Sequence, residues 1–366
     1  MKTARYFYNI LIVLVCLSAV INLVGCDFNT ADISLGNIKI KCAKVSYTEG
    51  YYLSDDGVLY SPGADSDASA YVCYEDKKRG IVAENVAKFG TMISGGYCIT
   101  NDNELYVWNR NKLQIFGYLK NKHLQKVSEN VVDAIVMPDR ILYTDVFGDF
   151  YVAGIFGDVC IQFNNPILLD SNVKCFCFYK SEIMWLSASG ELMQYDPSNK
   201  VKMKSEFLKT LNDNRTESKS KIQAFSDGGL ILLENGILHF YGDYEKLIGA
   251  ENSDKFSDIV LAKDIVDFSA TAELIVAIDS YNKAYAWGKC LSNGMDNTTT
   301  PEYKYYNNEL IQDNVKFVDV ESGASMCFVD GNGKIRSFRD NDSWGFFGNS
   351  EKSKVVGINN KPVTWK

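Results

Sequence analysis

Tyr51-Tyr52-Leu53-Ser54-Asp55-Asp56-Gly57-Val58-Leu59-Tyr60 is the stretch on which the reading of this chain turns. A short apolar run enters a turn of Ser, Asp and Gly, and a second apolar run leaves it with an aromatic near its end. The same pattern recurs from Cys98 to Trp108, Ile141 to Gly154, Met184 to Tyr195, Leu230 to Gly242, Val276 to Gly288 and Cys327 to Phe338. With 57, 103, 148, 190, 236, 282 and 333 as equivalent turn positions, the steps are 46, 45, 42, 46, 46 and 51 residues. A period near 46 is that of one supersecondary unit repeated, as in a solenoid or a propeller.

A second mark lies upstream of most turns, where an apolar residue is followed by polar ones and then by Asn or Asp with Val or Ile. It reads Val82-Ala83-Glu84-Asn85-Val86, Val127-Ser128-Glu129-Asn130-Val131, Leu169-Asp170-Ser171-Asn172-Val173, Leu261-Ala262-Lys263-Asp264-Ile265 and Ile311-Gln312-Asp313-Asn314-Val315. That suits an outer strand turning into the next unit. Leu274-Ile275-Val276-Ala277-Ile278 is apolar on both faces, as a strand covered on both sides should be. Short, evenly spaced strands point to an all-β closed assembly, and four of them fit the size of a propeller blade. The expected fold is a seven-bladed β-propeller spanning 37–366. The first unit begins abruptly near Asn37 without the Asn-Val strand, so the C-terminal run Val356 to Trp365 is expected to supply the outer strand of the first blade.

Trp287-Gly288 after the strand Lys283 to Ala286, Gly323 before the strand Met326 to Val329, and the loops Asn111 to Gly117, Glu245 to Gly249 and Asp342 to Gly348 carry a family likeness. Together they resemble the regulator of chromosome condensation repeat, which implies a seven-bladed propeller over about 37–366. The His that the family commonly places before the second strand is missing, and the Gly-Gln-Leu-Gly loop is degraded. The nucleotide-exchange activity of the eukaryotic namesake is therefore not implied. Exported propellers of similar repeat type bind proteins through the loops of one face.

Lys2 and Arg5 precede an almost wholly apolar run from Phe7 to Val24, and no acidic residue occurs before Asp27. This is a targeting segment rather than part of the fold. Its end, Leu23-Val24-Gly25-Cys26, resembles a bacterial lipobox. That implies cleavage after residue 25, lipid attachment at Cys26, a tether over 26–36 and a place on the extracytoplasmic face of the cell membrane. Loss of Lys2 and Arg5 takes 38 basic residues to 36 against 46 acidic ones, a net charge of −10. Such a chain repels phosphate backbones, so no nucleic-acid partner is expected. Of the ten cysteines, Cys98, Cys175, Cys177 and Cys327 sit in apolar strands as small hydrophobes, and mostly free, buried thiols are expected.

Catalytic chemistry is thinly represented. His239 lies in the strand Ile237 to Tyr241 and His123 in the segment Lys120 to Gln125, and neither has a motif around it. Nucleophile elbows, zinc-protease motifs and phosphate loops are absent. Asp65-Ser66-Asp67 lacks the Gly and Glu of a calcium loop. No catalytic residue, cofactor or metal site is expected, and the aromatics after each turn are read as blade packing. The long insertions Ser61 to Gly80, Pro197 to Lys221 and Asn293 to Asn308, the second rich in Lys and the third in Tyr, are candidate contact loops. The expected function is a monomeric, membrane-tethered module that binds a protein without chemistry. The alternative is a cell-surface glycan-binding protein or a carbohydrate-active enzyme with carboxylates paired across blades.

Overall fold

The computed structural model describes residues 39–45, 50–60, 81–92, 95–109, 124–156, 158–179, 182–197, 199, 201–204, 219–225, 228–250, 256–291, 303–321, 325–333 and 335–337. They form seven antiparallel sheets, taken in chain order. The first holds β1 (Ile40–Val45), β2 (Gly50–Ser54), β3 (Leu59–Tyr60) and β4 (Ile81–Ala83). The second holds β5 (Val86–Met92), β6 (Gly95–Thr100), β7 (Leu105–Asn109) and β8 (Gln125–Ser128). The third holds β9 (Val131–Met137), β10 (Arg140–Asp145) and β11 (Phe150–Phe156), with an outer edge split between β12 (Val159–Ile161) and β13 (Ile167–Asp170). The fourth is β14 (Cys175–Tyr179), β15 (Glu182–Leu186), β16 (Leu192–Asp196) and β17 (Val201–Lys204). The fifth is β18 (Lys219–Phe225), β19 (Gly228–Leu233), β20 (Leu238–Asp243) and β21 (Phe256–Ala262), with helix α1 (Tyr244–Leu247) after β20. The sixth is β22 (Ile265–Ala270), β23 (Leu274–Asp279), β24 (Ala284–Leu291) and β25 (Tyr303–Gln312). The seventh is β26 (Val315–Glu321), β27 (Ser325–Asp330) and β28 (Ile335–Ser337).

The fold is an all-β β-propeller, and two details differ from the sequence expectation. Six sheets have the four or more strands of a complete blade, whereas the seventh has three among the described residues. The first sheet does not lack an outer strand, because β4 provides it. In each Asn-Val segment the residues before the Asn or Asp end the outer strand of one sheet, and at Val86, Val131, Ile265 and Val315 the residue after it opens the next, so the sheet left short is the last. Residues 355–366, expected to fill the first blade, lie outside the described residues.

Packing between sheets explains the apolar second strands. β19 and β23 are buried at every position, as a strand flanked by two sheets must be. Trp108, Trp185 and Trp287 are also buried. Trp108 donates Nε1–H to the Tyr51 hydroxyl of the preceding sheet at 3.2 Å, and Trp185 donates to Asp170 at 2.7 Å. A blade aromatic thus fills the space between sheets and finds an acceptor across it.

The turn residues read from the sequence set the local geometry. Gly57, Asn103, Gly148, Gly190, Gly236, Asn282 and Gly333 all have φ between 61° and 82°. This left-handed region suits Gly and Asn and closes a type I turn with a bulge. Asn85, Asn130, Asn172, Asp264 and Asn314 also lie there, with φ from 56° to 61°. The two sets are joined by hydrogen bonds between successive sheets. Val86 donates its N–H to the Gly57 carbonyl at 2.8 Å, Val131 to Asn103 at 2.7 Å, Val173 to Gly148 at 3.2 Å, Ile265 to Gly236 at 2.9 Å and Val315 to Asn282 at 2.8 Å. Ile40 makes the same bond to Gly333 at 3.3 Å, and Asp55 N–H returns one to the Lys39 carbonyl at 2.9 Å. The last sheet therefore meets the first through the latch seen at five other junctions, reinforced by Cys327 Sγ donating to the Ala43 carbonyl at 3.2 Å.

Candidate functional site

Three places in a propeller can carry function: the axial wall and the two ends. In the axial wall, the first strands of neighbouring sheets are joined by ion pairs. Lys44 meets Asp319 at 3.3 Å, Lys88 meets Asp133 at 3.6 Å and Lys221 meets Asp267 at 2.6 Å. Asp319 raises the pKa of Lys44 against the opposing effect of burial, so Lys44 stays charged. Tyr97 lies close by, its hydroxyl donating to the Ala134 carbonyl at 2.5 Å, and burial holds its proton on. These carboxylates face lysines, whereas glycoside hydrolysis needs two carboxyl groups set across one bond. The wall is charge-compensated and joins sheets. At 39–56% side-chain exposure for two of the three pairs, each such pair contributes about 0–1 kcal/mol.

The two ends differ. Antiparallel order places the connection between second and third strands at the same end as the linker to the next sheet, and the latches confirm it. At this latched end an oxygen three residues before the left-handed position caps most turns. Thr100 Oγ1 accepts from Glu104 N–H, Ser187 Oγ from Glu191 N–H and Ser54 Oγ from Val58 N–H. Asp145 and Asp279 do the same with carboxylate oxygens, and Asp330 accepts from Asn332 N–H. The residue before the left-handed position stands at the turn tip. It is polar at Asp56, Asp102, Ser189, Asn235 and Asn332 but aromatic at Phe147 and Tyr281, each 75% exposed. Beside Tyr281 is a cleft of about 290 Å³, at the junction of the fifth and sixth sheets, lined by Lys263, Asp264, Asp279, Tyr281, Tyr285 and Asn308. The opposite end receives the connections between third and fourth strands, where 61–80, 110–123 and 292–302 are the long ones.

The residues singled out from the sequence are distributed as follows. His239 is buried on β20, its Nδ1 3.8 Å from the Asp258 carboxylate and its ring stacked near Tyr241, which is a packed strand position. His123, Cys26, Cys73, Asp65 and Asp67 lie outside the described residues. The seven described cysteines form no disulfide. Cys42, Cys175 and Cys177 have pKa values pushed up by burial to about 11, 12 and 12, so they are protonated at neutral pH, while Cys160 is exposed. No group of three or more metal-ligating side chains occurs among the described residues.

Two of the three contact loops are redrawn. Pro197 to Lys221 is not one loop, since β17 and the start of β18 lie inside it. The tyrosines of Asn293 to Asn308 belong to the outer strand β25, where Tyr303 and Tyr305 are exposed and Lys289 sits 4.0 Å over the Tyr303 ring. The turn caps and the axial ion pairs were not found from the sequence. A Ser, Thr or Asp three residues before each turn Gly or Asn was a usable signal for the caps. For the ion pairs, Lys88–Asp133 and Lys221–Asp267 are separated by one repeat, 45 and 46 residues, whereas Lys44–Asp319, 275 residues apart, pairs the last sheet with the first.

No protein-family model matches the sequence, and no curated protein is similar to it. Solved structures are similar in fold. Prp20p of Saccharomyces cerevisiae, described with its binding to Gsp1p and histones, superposes with a TM-score of 0.58 at 14% identity, covering 79% of this chain and 82% of that one. The same yeast protein, named RCC1 (Prp20) in its complex with Kap60, gives 0.56 at 14% identity over 79% and 80%. Human WBSCR16 gives 0.56 at 13% identity over 78% and 85%. What this chain shares with them is the β-propeller fold.

Proposed function

We propose that the chain is a non-catalytic protein-binding propeller, its seven sheets forming seven blades of one ring, monomeric and held by a lipid on Cys26 at the extracytoplasmic face of a bacterial membrane. The observation that supports binding without chemistry is the use already made of the polar groups. The axial carboxylates pair with lysines, and the recurring blade tryptophans are buried between sheets. What remains for a partner is surface hung on rigid strands, the usual place for recognition. Protein partners of similar propellers, such as Gsp1p and Kap60 for the yeast protein, agree with that use.

The test replaces 61–80 and 292–302 with short turns in a chain beginning at residue 27 and immobilises it in surface extracts. Partners retained by the parent chain and lost by the variant, with melting unchanged, support the reading. Cleavage of a glycan by the purified chain, abolished by one carboxylate substitution that leaves folding intact, would replace it with the enzyme reading. For the anchor, Cys26→Ser should move the protein out of the detergent phase and remove the lipid mass. Equal membrane retention in that variant defeats the lipid assignment.

A further inference from the structure

The sixth sheet breaks the repeat at one place. Among the described residues eight other than glycine have positive φ, and seven of them are turn and linker positions that recur from sheet to sheet. The eighth, Asn308 with φ 57°, is the extra residue of a bulge in β25, where Ala286 faces Glu309 and Trp287 faces Asn307. No other described outer strand has a second register shift against its third strand. A bulge re-aims a side chain, and a backbone outlier that the fold does not require is a pointer to function. The residue so displaced, Asn308, lines the cleft beside Tyr281.

The polar groups of that cleft are uncommitted. The side chains of Lys263, Asp264, Tyr281 and Asn308 and the Tyr285 hydroxyl make no hydrogen bond or ion pair among the described residues. Asp279 is different, being buried and accepting from Tyr281 N–H at 2.9 Å and Lys283 N–H at 2.8 Å, so it holds the turn. The third sheet supplies the contrast. Its turn tip carries the equally exposed Phe147, with Glu129, Asn130 and Tyr151 at the places of Lys263, Asp264 and Tyr285. There Glu129 is paired with Lys126 at 2.6 Å and Tyr151 is stacked on Tyr143 at 5.1 Å.

Lys263 and Asp264 cancel in charge, so the lining selects no ion. It offers a donor at Lys263, an acceptor at Asp264 and both at Asn308 and the tyrosine hydroxyls, around an aromatic ring in water. A sugar ring matches that set, with hydroxyls that donate and accept at its rim and a C–H face that covers an aromatic. An apolar side chain would leave the polar groups unpaired, at a cost. The volume of about 290 Å³ is at the small end for ligand pockets and suits one ring. We propose that the cleft binds one neutral sugar residue of a glycan, stacked on Tyr281 and hydrogen-bonded by Lys263, Asp264 and Asn308. Hydrolysis needs two carboxyl groups across the bond, and only Asp264 is uncommitted, so the sugar is held and not cut. The cleft is at the latched end and the long connections at the other, so this site requires neither the protein partner nor the lipid proposed above.

Titration of maltoheptaose, cellohexaose, chitohexaose and mannohexaose into the chain from residue 27, followed by NMR, tests this. At least one should bind with a Kd of about 1 mM, the scale of a single small subsite. Tyr281→Ala should weaken it about 3- to 10-fold and Tyr281→Phe less than about threefold, and Asn308→Ala about 3- to 10-fold. Phe147→Ala and the shortened 61–80 variant should bind as the parent does, and all these point variants should melt as it does. Binding of none of the four at about 10 mM overturns the proposal. So does a loss in Phe147→Ala equal to that in Tyr281→Ala, or affinity indifferent to both Tyr281→Ala and Asn308→Ala. New reducing ends would make the site catalytic, against the proposal. Loss of a captured protein partner in Tyr281→Ala, with no oligosaccharide bound by the parent, would give the cleft to that partner instead.

Discussion

The two ends of the ring are built from the same strands under opposite constraints. At the latched end, left-handed Gly or Asn, a capping oxygen and a hydrogen bond to the next sheet confine most connections to about two to five residues. At the other end the described bond from a connection to the next sheet runs through side chains, the Tyr244 hydroxyl donating to Asn307 at 2.7 Å, and the connections run to 20 residues at 61–80. Hydrogen bonding between sheets, rather than burial, decides where a propeller tolerates insertion. A loop can grow only where its backbone is not already committed to the neighbouring blade.

The comparison can be broken by experiment. The largest effect belongs to neither end. Trp287→Ala removes a side chain buried between the fifth and sixth sheets and should cost about 3–5 kcal/mol in denaturant unfolding. A loss under 1 kcal/mol would mean that latches rather than packing hold the sheets. Next comes Gly148→Val at the latched end, where φ is 81° and an added Cβ would stand 3.1 Å from the Asn172 Cα. Strain and displacement of the latch should cost about 1–3 kcal/mol. Thr100→Val keeps the shape and removes the cap of Glu104 N–H, for about 1 kcal/mol by thermal melting. At the other end, replacing 61–80 with a short turn should shift stability by under about 1 kcal/mol. A larger loss there than at Gly148 would erase the distinction between the ends.

The parts legible in the sequence were those with a one-residue signature. Only Gly and Asn, with an occasional Asp, sit comfortably at positive φ, so seven turn positions and five linker positions could be read directly and all twelve lie there. Alternation failed at the edges. β25 is exposed along most of its length, and β17 is the Lys-containing run Val201–Lys204, so both read as loop, because an outer strand has little reason to alternate. The phase of the outer strand was lost for a related reason. A segment between two hairpins carries no mark of which one it pairs with, and the first blade was judged short when the last is. Of the candidate site, the exposed Tyr281 could be named only after the other turn tips had been aligned with it. The cleft beside it joins residues 262 to 308 from two sheets.

The bond from Cys327 to Ala43 spans 284 residues. At about 5–20 residues per second of synthesis, the partner face of the first sheet is not made until roughly 15–60 s after the sheet itself. During that interval the first sheet has one apolar face against its successor and another with nothing to cover it. It is the side of the nascent protein most in need of a chaperone, and the step that sheathes it is the last the chain can take.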